Sequence, residues 1–210
     1  MARRRDGALD AAEISPAAVI SEGVEPASSR SRRWGTLRWS AVAILLLAWA
    51  LRLSPFLRAP LHPDEALYGY WGLLIGRGQD PWLITNPVYK PPVLPYVVSL
   101  VQFLFGNCVI ALRLPGLFAS VVLLPLVGKL GRTLYNDPWV DAGAMGAAAL
   151  SPFAVSLSGT AFPDPLMVTL GLAACLAASR GSAGWAGLLA GLSFATKQTG
   201  LVWLPLALVL

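Results

Sequence analysis

Charge is scarce in this chain. Asp, Glu, Lys and Arg make up 13% of its 210 residues, against roughly 25% in an ordinary soluble domain. Hydrophobic residues supply 56%. A soluble fold of this length has too little interior to hide so much apolar surface, whereas lipid solvates it directly. Cysteine is nearly absent. Cys108 and Cys175 each lie in an apolar stretch, read as packing residues and imply no disulfide. There is one histidine, His62, which beside Asp64 and Glu65 makes only a weak metal-site pattern. No Gly-rich phosphate loop occurs, so no nucleotide site is expected. The net charge of +5 does not point to nucleic acid. Seven of the 16 basic residues crowd into the first 38 positions: Arg3, Arg4, Arg5, Arg30, Arg32, Arg33 and Arg38. That is how a cytoplasmic tail before a first membrane span reads.

What is present is a series of apolar runs. Residues 1–38 mix Arg, Ser, Ala, Glu and Pro without an apolar period and read as a disordered basic tail. The remainder, 39–210, predicts an all-α, polytopic transmembrane bundle with an outer loop bearing short interfacial helices. Spans are expected at about 39–57, 109–128, 142–160, 165–179, 181–196 and 198–210, the last incomplete. Arg52, near the far end of the first span, is expected to reach the interface with its long side chain. The loop 58–108 is the most polar stretch after the tail. Within it, 64–75 reads as a short helix starting near Pro63 and Asp64. The apolar run 93–105 is too short to cross a bilayer. If it does not span, Lys129 and Arg132 fall on the cytoplasmic side, as positive charge prefers. The chain ends inside an apolar run, which suggests a truncated protein.

This topology places Asp64, Glu65, Lys90, Asp164 and Lys197 on one outer face. Charges at membrane depth tend to face a cavity or a partner. A carboxylate can take a proton from an acceptor hydroxyl, and a lysine can stabilise a leaving phosphate. Each residue also has a plainer reading. Asp64 and Glu65 suit a helix N-terminus, Lys90 an interface anchor, Asp164 a turn between two prolines, and Lys197 a snorkelling cation. Tyr68, Tyr70 and Trp71 read most simply as interfacial belt residues, or else as a platform for a sugar.

Five motifs in order favour the chemical reading. The stretch Leu61-His62-Pro63-Asp64-Glu65-Ala66-Leu67-Tyr68 resembles the Asp-Glu motif in the first outer loop of GT-C glycosyltransferases. Lys90-Pro91-Pro92, Arg113-Leu114-Pro115, Phe162-Pro163-Asp164-Pro165-Leu166 and Gly191-Leu192-Ser193-Phe194-Ala195-Thr196-Lys197 resemble the landmarks that follow. The resemblance is to the branch of protein O-mannosyltransferases and lipid A aminoarabinose transferases. In one departure, Gln198-Thr199-Gly200 follows Lys197 where relatives often have Gly directly. In another, relatives run to more than twice this length.

The resemblance implies a hexosyltransferase of the cell envelope that uses a sugar on a polyprenyl or dolichyl phosphate. The acceptor would be a hydroxyl of a protein, lipid or glycan on the extracytoplasmic face. Asp64 would be the base and Glu65 its support. Lys90, Lys197, Asp164 and Tyr68 would bind the donor. No cofactor is implied, and a metal requirement is left open. The competing readings are a multi-span transporter or flippase-like protein, and an inactive truncated fragment. The charge pattern yields a direct test of sidedness. In intact cells, a membrane-impermeant thiol reagent should label Gly78→Cys and spare Thr133→Cys, with the native cysteines removed. The reverse pattern would overturn the predicted orientation.

Overall fold

The computed structural model describes residues 27–85 and 89–210, with side chains from residue 37 onward. The Arg3, Arg4 and Arg5 part of the predicted tail lies outside the described residues. Helix α1 (Ala27–Arg58) already includes residues 27–38, which the sequence reading had placed in that tail. The compact unit Leu37–Leu210 continues with α2 (Pro63–Gly76), α3 (Val93–Phe105), α4 (Val109–Tyr135), α5 (Pro138–Leu150), α6 (Pro152–Ser158), α7 (Asp164–Ala178) and α8 (Ala183–Thr196). A 3-10 turn (Gln198–Val202) and α9 (Trp203–Val209) follow. No strand occurs among the described residues.

Two stretches are long and apolar enough to cross a membrane: Leu37–Arg58 with 22 residues and Val109–Tyr135 with 27. Helices α5 and α6 pass that test only as a pair, bent by 62° at Ser151. Among the described residues, two helices, or three if the bent pair is one span, meet that criterion, against the six spans expected. The expected crossings at 165–179 and 181–196 fall on α7 and α8, of 15 and 14 residues. At about 1.5 Å per residue, each reaches only about three-quarters or less of the roughly 30 Å hydrocarbon core. The expected span at 198–210 is broken into the 3-10 turn and one short helix. Helix α3, with 13 residues, is also below spanning length.

Proline and its preceding cap set most of the breaks. Proline is preorganised for a first helical turn and has no amide to waste there. Pro63 starts α2 behind His62, Pro138 starts α5 behind Asp137, and Pro152 starts α6 behind Ser151. Small polar side chains then tie the apolar helices together. The Thr169 hydroxyl donates to the Ala119 carbonyl at 2.8 Å, and that of Ser193 to the Met167 carbonyl at 2.8 Å. Such bonds supply specificity between helices whose remaining contacts are van der Waals.

The α5–α6 break has its own partner, and it corrects the reading of Arg52. That side chain does not reach an interface. It is fully buried and donates to the carbonyls of Ala149 at 3.2 Å and Ala148 at 3.5 Å. Pro152 explains why the Ala148 oxygen needs a donor. In an unbroken helix the Ala148 carbonyl would accept from the amide of residue 152, and proline has none. The cation at this helix C-terminus also complements its partial negative charge. Arg52→Met should therefore lower the thermal stability of the detergent-solubilised protein, by about 1–3 kcal/mol for each carbonyl left unpaired. Pro152→Ala should recover part of that loss in the Arg52→Met background, because it restores an amide to the Ala148 carbonyl. A double variant no more stable than Arg52→Met would overturn this account.

Candidate functional site

The site is built outward from Arg113. A charge in the middle of an apolar helix is costly unless every hydrogen-bonding group finds a partner. Arg113 on α4 is buried, and all five of its N–H donors are used. Its Nε and Nη2 meet Glu65 Oε1 and Oε2 at 2.9 and 3.0 Å. Its other bonds go to the carbonyls of Phe56, Ala59 and Pro60 at 3.3, 2.9 and 3.0 Å. Glu65 is filled in turn. Oε1 also accepts the Ala161 amide at 2.8 Å, and Oε2 the His62 amide at 2.9 Å. Five separate segments thus meet at one ion pair: the end of α1, the 59–62 connection, α2, α4 and the loop before α7.

Two glycines let that loop in. A Cβ on Gly159 would lie 2.5 Å from the Pro55 carbonyl carbon, and one on Gly116 2.5 Å from the Thr160 oxygen. Both distances are inside van der Waals contact, so the backbones can approach only because these side chains are missing.

Asp64 and Asp164 stand next to this clamp, one residue after Pro63 and three after Ala161. The structure brings Asp64, Lys90, Asp164 and Lys197 together as walls of one cavity of about 560 Å³, which Tyr68 and Phe162 also line. The charges come in pairs. Lys90 Nζ lies 3.1 Å from Asp64 Oδ1, and Lys197 Nζ donates to Asp164 Oδ1 at 2.6 Å. Lys90 also sits over the rings of Tyr68 and Tyr89, at 4.9 and 5.6 Å from their centres, within cation–π range. Lys197 follows the end of α8 in extended conformation (φ −153°, ψ 136°), and the 3-10 turn begins at Gln198. The departure after Lys197 noted in the sequence is accommodated by that turn. A smaller apolar cavity of about 180 Å³ shares Phe153, Leu157 and Asp164 with the first.

Glu65 does not join the other site residues. It faces the interior, does not line the cavity, and completes a capping box with His62 at the start of α2. His62 serves as the N-cap, its Nδ1 accepting the Asp64 amide at 3.1 Å. Its ring leans on Phe162, with centres 5.2 Å apart. Among the described residues, no group of three or more His, Cys, Asp or Glu side chains converges. The belt reading of Tyr68 and Trp71 is corrected. Both are buried in an apolar core with Leu94, Val98 and Leu112, while Tyr70 is half exposed. Burial, with the Asp64 and Asp164 charges next and Tyr89 last, pushes the Tyr68 phenol up to about 12. At neutral pH it remains a hydrogen-bond donor at the cavity wall.

The sequence reading missed Arg113 as a site-forming residue. It had counted Arg113 only as a motif match. The available signal was an arginine five residues into a helix otherwise apolar for several turns, which calls for a buried carboxylate.

The Glu65 carboxyl reports on the clamp. Burial alone would raise its pKa, but the Arg113 hydrogen bond, the His62 and Ala161 amides and the Arg113 charge together hold it below its ordinary value of 4.5. A carboxylate with a lowered folded-state pKa stabilises the fold fully above the unfolded value, and loses that contribution as pH falls through the folded one. Glu65→Gln should thus be less stable than the wild type at pH 7, by about 3–5 kcal/mol. The gap should shrink as pH is lowered below about 4. Thermal unfolding of both proteins across that range checks it. A gap of constant size would show that the ionised carboxylate is not what holds the clamp.

A family model described as dolichyl-phosphate-mannose-protein mannosyltransferase matches residues 89–210. The matched part contains Lys90, Asp164 and Lys197, while Asp64 and Glu65 precede it. No curated protein and no solved structure matches the chain.

Proposed function

Because the chain belongs to the dolichyl-phosphate-mannose-protein mannosyltransferase family, a family of membrane glycosyltransferases, we propose that this cavity is where a sugar leaves a lipid phosphate for an acceptor hydroxyl. The observation that carries the reading is the convergence of two carboxylates and two ammonium groups, from four separate parts of the chain, on one cavity. An apolar cavity shares its wall. A lipid-linked donor has matching parts: a phosphate for the lysines and an isoprenoid chain for apolar surface.

The roles follow from the chemistry. Asp64 accepts the proton of the acceptor hydroxyl as its oxygen bonds to the anomeric carbon. The bond from that carbon to the phosphate oxygen breaks, and the lipid phosphate leaves with one more negative charge. Lys90 and Lys197 stabilise that charge by charge-assisted hydrogen bonds. Asp164 holds Lys197 in position. Tyr68 supports Lys90 from below with its ring. Glu65 acts only through the backbone, by fixing the first turn of α2. The donor is a polyprenyl- or dolichyl-linked hexose, the acceptor a protein, lipid or glycan hydroxyl, and the cavity opens on the extracytoplasmic face. The helix break at Ser151 is a feature shared with transporters, but Arg52 already engages its carbonyls, and the family match is to transferases.

Single-turnover sugar transfer at saturating donor tests the assignment. Asp64→Asn keeps the size of the side chain and cannot take the proton. It should slow transfer by about 10²–10⁴-fold with insertion unchanged. Lys90→Ala should raise the donor concentration needed, and Lys90→Arg should restore part of the loss. An Asp64→Asn protein with normal turnover would end the base assignment.

A further inference from the structure

We propose that donor binding and release of the base are one event: the donor phosphate takes Lys90 from Asp64, and Asp64 is free to receive a proton only once the donor is seated. This rests on reading the cavity as the transfer site.

The argument starts from an asymmetry among the ion pairs. The Arg113–Glu65 pair is sealed, with side chains 2% and 0% exposed. The Lys90–Asp64 pair is open, at 20% and 41%. A ligand can reach and exchange the second and not the first. Among the described residues, Lys90 is the partner of the Asp64 carboxylate. An oxygen held 3.1 Å from an ammonium is turned to the lysine, not to an acceptor hydroxyl. Lys90, in contrast, has other support. The Tyr68 and Tyr89 rings hold its ammonium from a second side, so it keeps its place when its anion changes. Asp64 sits on the first turn of α2, whose backbone is fixed by the capping box and by the Glu65 clamp. Its side chain can therefore swing without moving the helix.

Charge balance favours an exchange over simple addition. Two lysines and two aspartates sum to zero. A phosphodiester adds one negative charge, and by pairing with Lys90 it leaves Asp64 as the unpaired anion. During transfer the phosphate gains one negative charge while Asp64 becomes neutral by taking the acceptor proton. The cavity's total charge is the same before and after, so transfer moves charge from Asp64 to the phosphate and creates none. The acceptor is then activated only in the presence of donor.

The proposal makes a counter-intuitive demand on binding. If Asp64 competes with phosphate for Lys90, removing the Asp64 charge must tighten donor-phosphate binding. Binding of dolichyl phosphate to the full chain in detergent micelles is the measurement. Asp64→Asn should bind about two- to fivefold more tightly than the wild type, the range expected from releasing a partly exposed pair. The same substitution should have no effect in a Lys90→Ala background. Asp64→Ala provides the same readout should the Asn variant fail to fold. Unchanged or weaker binding by the Asp64 variants would overturn the exchange. So would an equal gain with Lys90 absent, since that would be a general effect of cavity charge. No saturable binding by the wild type would overturn the donor reading itself, and the exchange with it. Saturable wild-type binding with no gain would overturn the exchange alone.

Discussion

The Arg113–Glu65 ion pair is the constraint on which the site's geometry depends. Neither residue lines the cavity, yet their bonds hold together the segments from which two of its walls are built. The bonds to Phe56, Ala59 and Pro60 anchor the exit from α1, and those to Glu65 fix the first turn of α2 with Asp64 on it. The Ala161 amide ties down the loop that carries Phe162 and Asp164. A buried ion pair gives little net stability unless its geometry is good and its remaining hydrogen-bonding sites are filled. Here all five guanidinium donors and both carboxylate oxygens are engaged. A network in that condition rigidifies and selects one arrangement, because any other leaves a buried charge short of partners.

The two classes of buried charge divide the labour. Arg113 is fully used by carbonyls and a carboxylate within the protein, Arg52 donates through both terminal nitrogens to carbonyls while its buried Nε is left without a partner, and both fix backbone. Lys90 and Lys197 each have one carboxylate partner at an open cavity wall. The side-chain chemistry fits that division. The guanidinium is a rigid fork of five donors, suited to several fixed carbonyls at once. An ammonium on a flexible stem is a compact charge that can move between anions. Arginine stands where the fold is set, and lysine where a ligand is proposed to bind.

The sequence and the structure agree where local chemistry decides. The α-helical class, the first long apolar helix and the shortness of 93–105 followed from composition, run length and proline placement. The expected span topology grouped Asp64, Glu65, Lys90, Asp164 and Lys197 on one face, and all but Glu65 line one cavity. What could not be read was decided by tertiary partners. Arg52 looked like an interfacial residue because its partners, the carbonyls of Ala148 and Ala149 at the α5–α6 break, lie about a hundred residues away. Glu65 was expected to support Asp64 at the site, although neighbours on a helix point about 100° apart, and here one faces the cavity and the other the core. The helices at the crossings expected over 165–196 are short for a span, a length that hydropathy alone does not report. Pro163, Gly181 and Lys197 cut that apolar stretch into pieces shorter than a bilayer.

That pointing difference has a consequence for how an Asp-Glu pair works at a membrane surface. Two adjacent carboxylates on one cavity wall would repel each other, and each would make the other harder to ionise. Turning the second inward onto Arg113 removes the repulsion and converts it into the anchor of the turn. The first is then presented by a backbone that cannot drift. A glutamate suits the inner role because its longer side chain reaches both the guanidinium and the His62 amide that starts its own helix. An aspartate suits the outer role, because its short side chain keeps the carboxylate near the clamped backbone and within 3.1 Å of Lys90. On the proposed reading, exchanging the two residue types would do more harm than either single loss of charge. It would leave the inner carboxylate short of its partners and swing the outer one past Lys90.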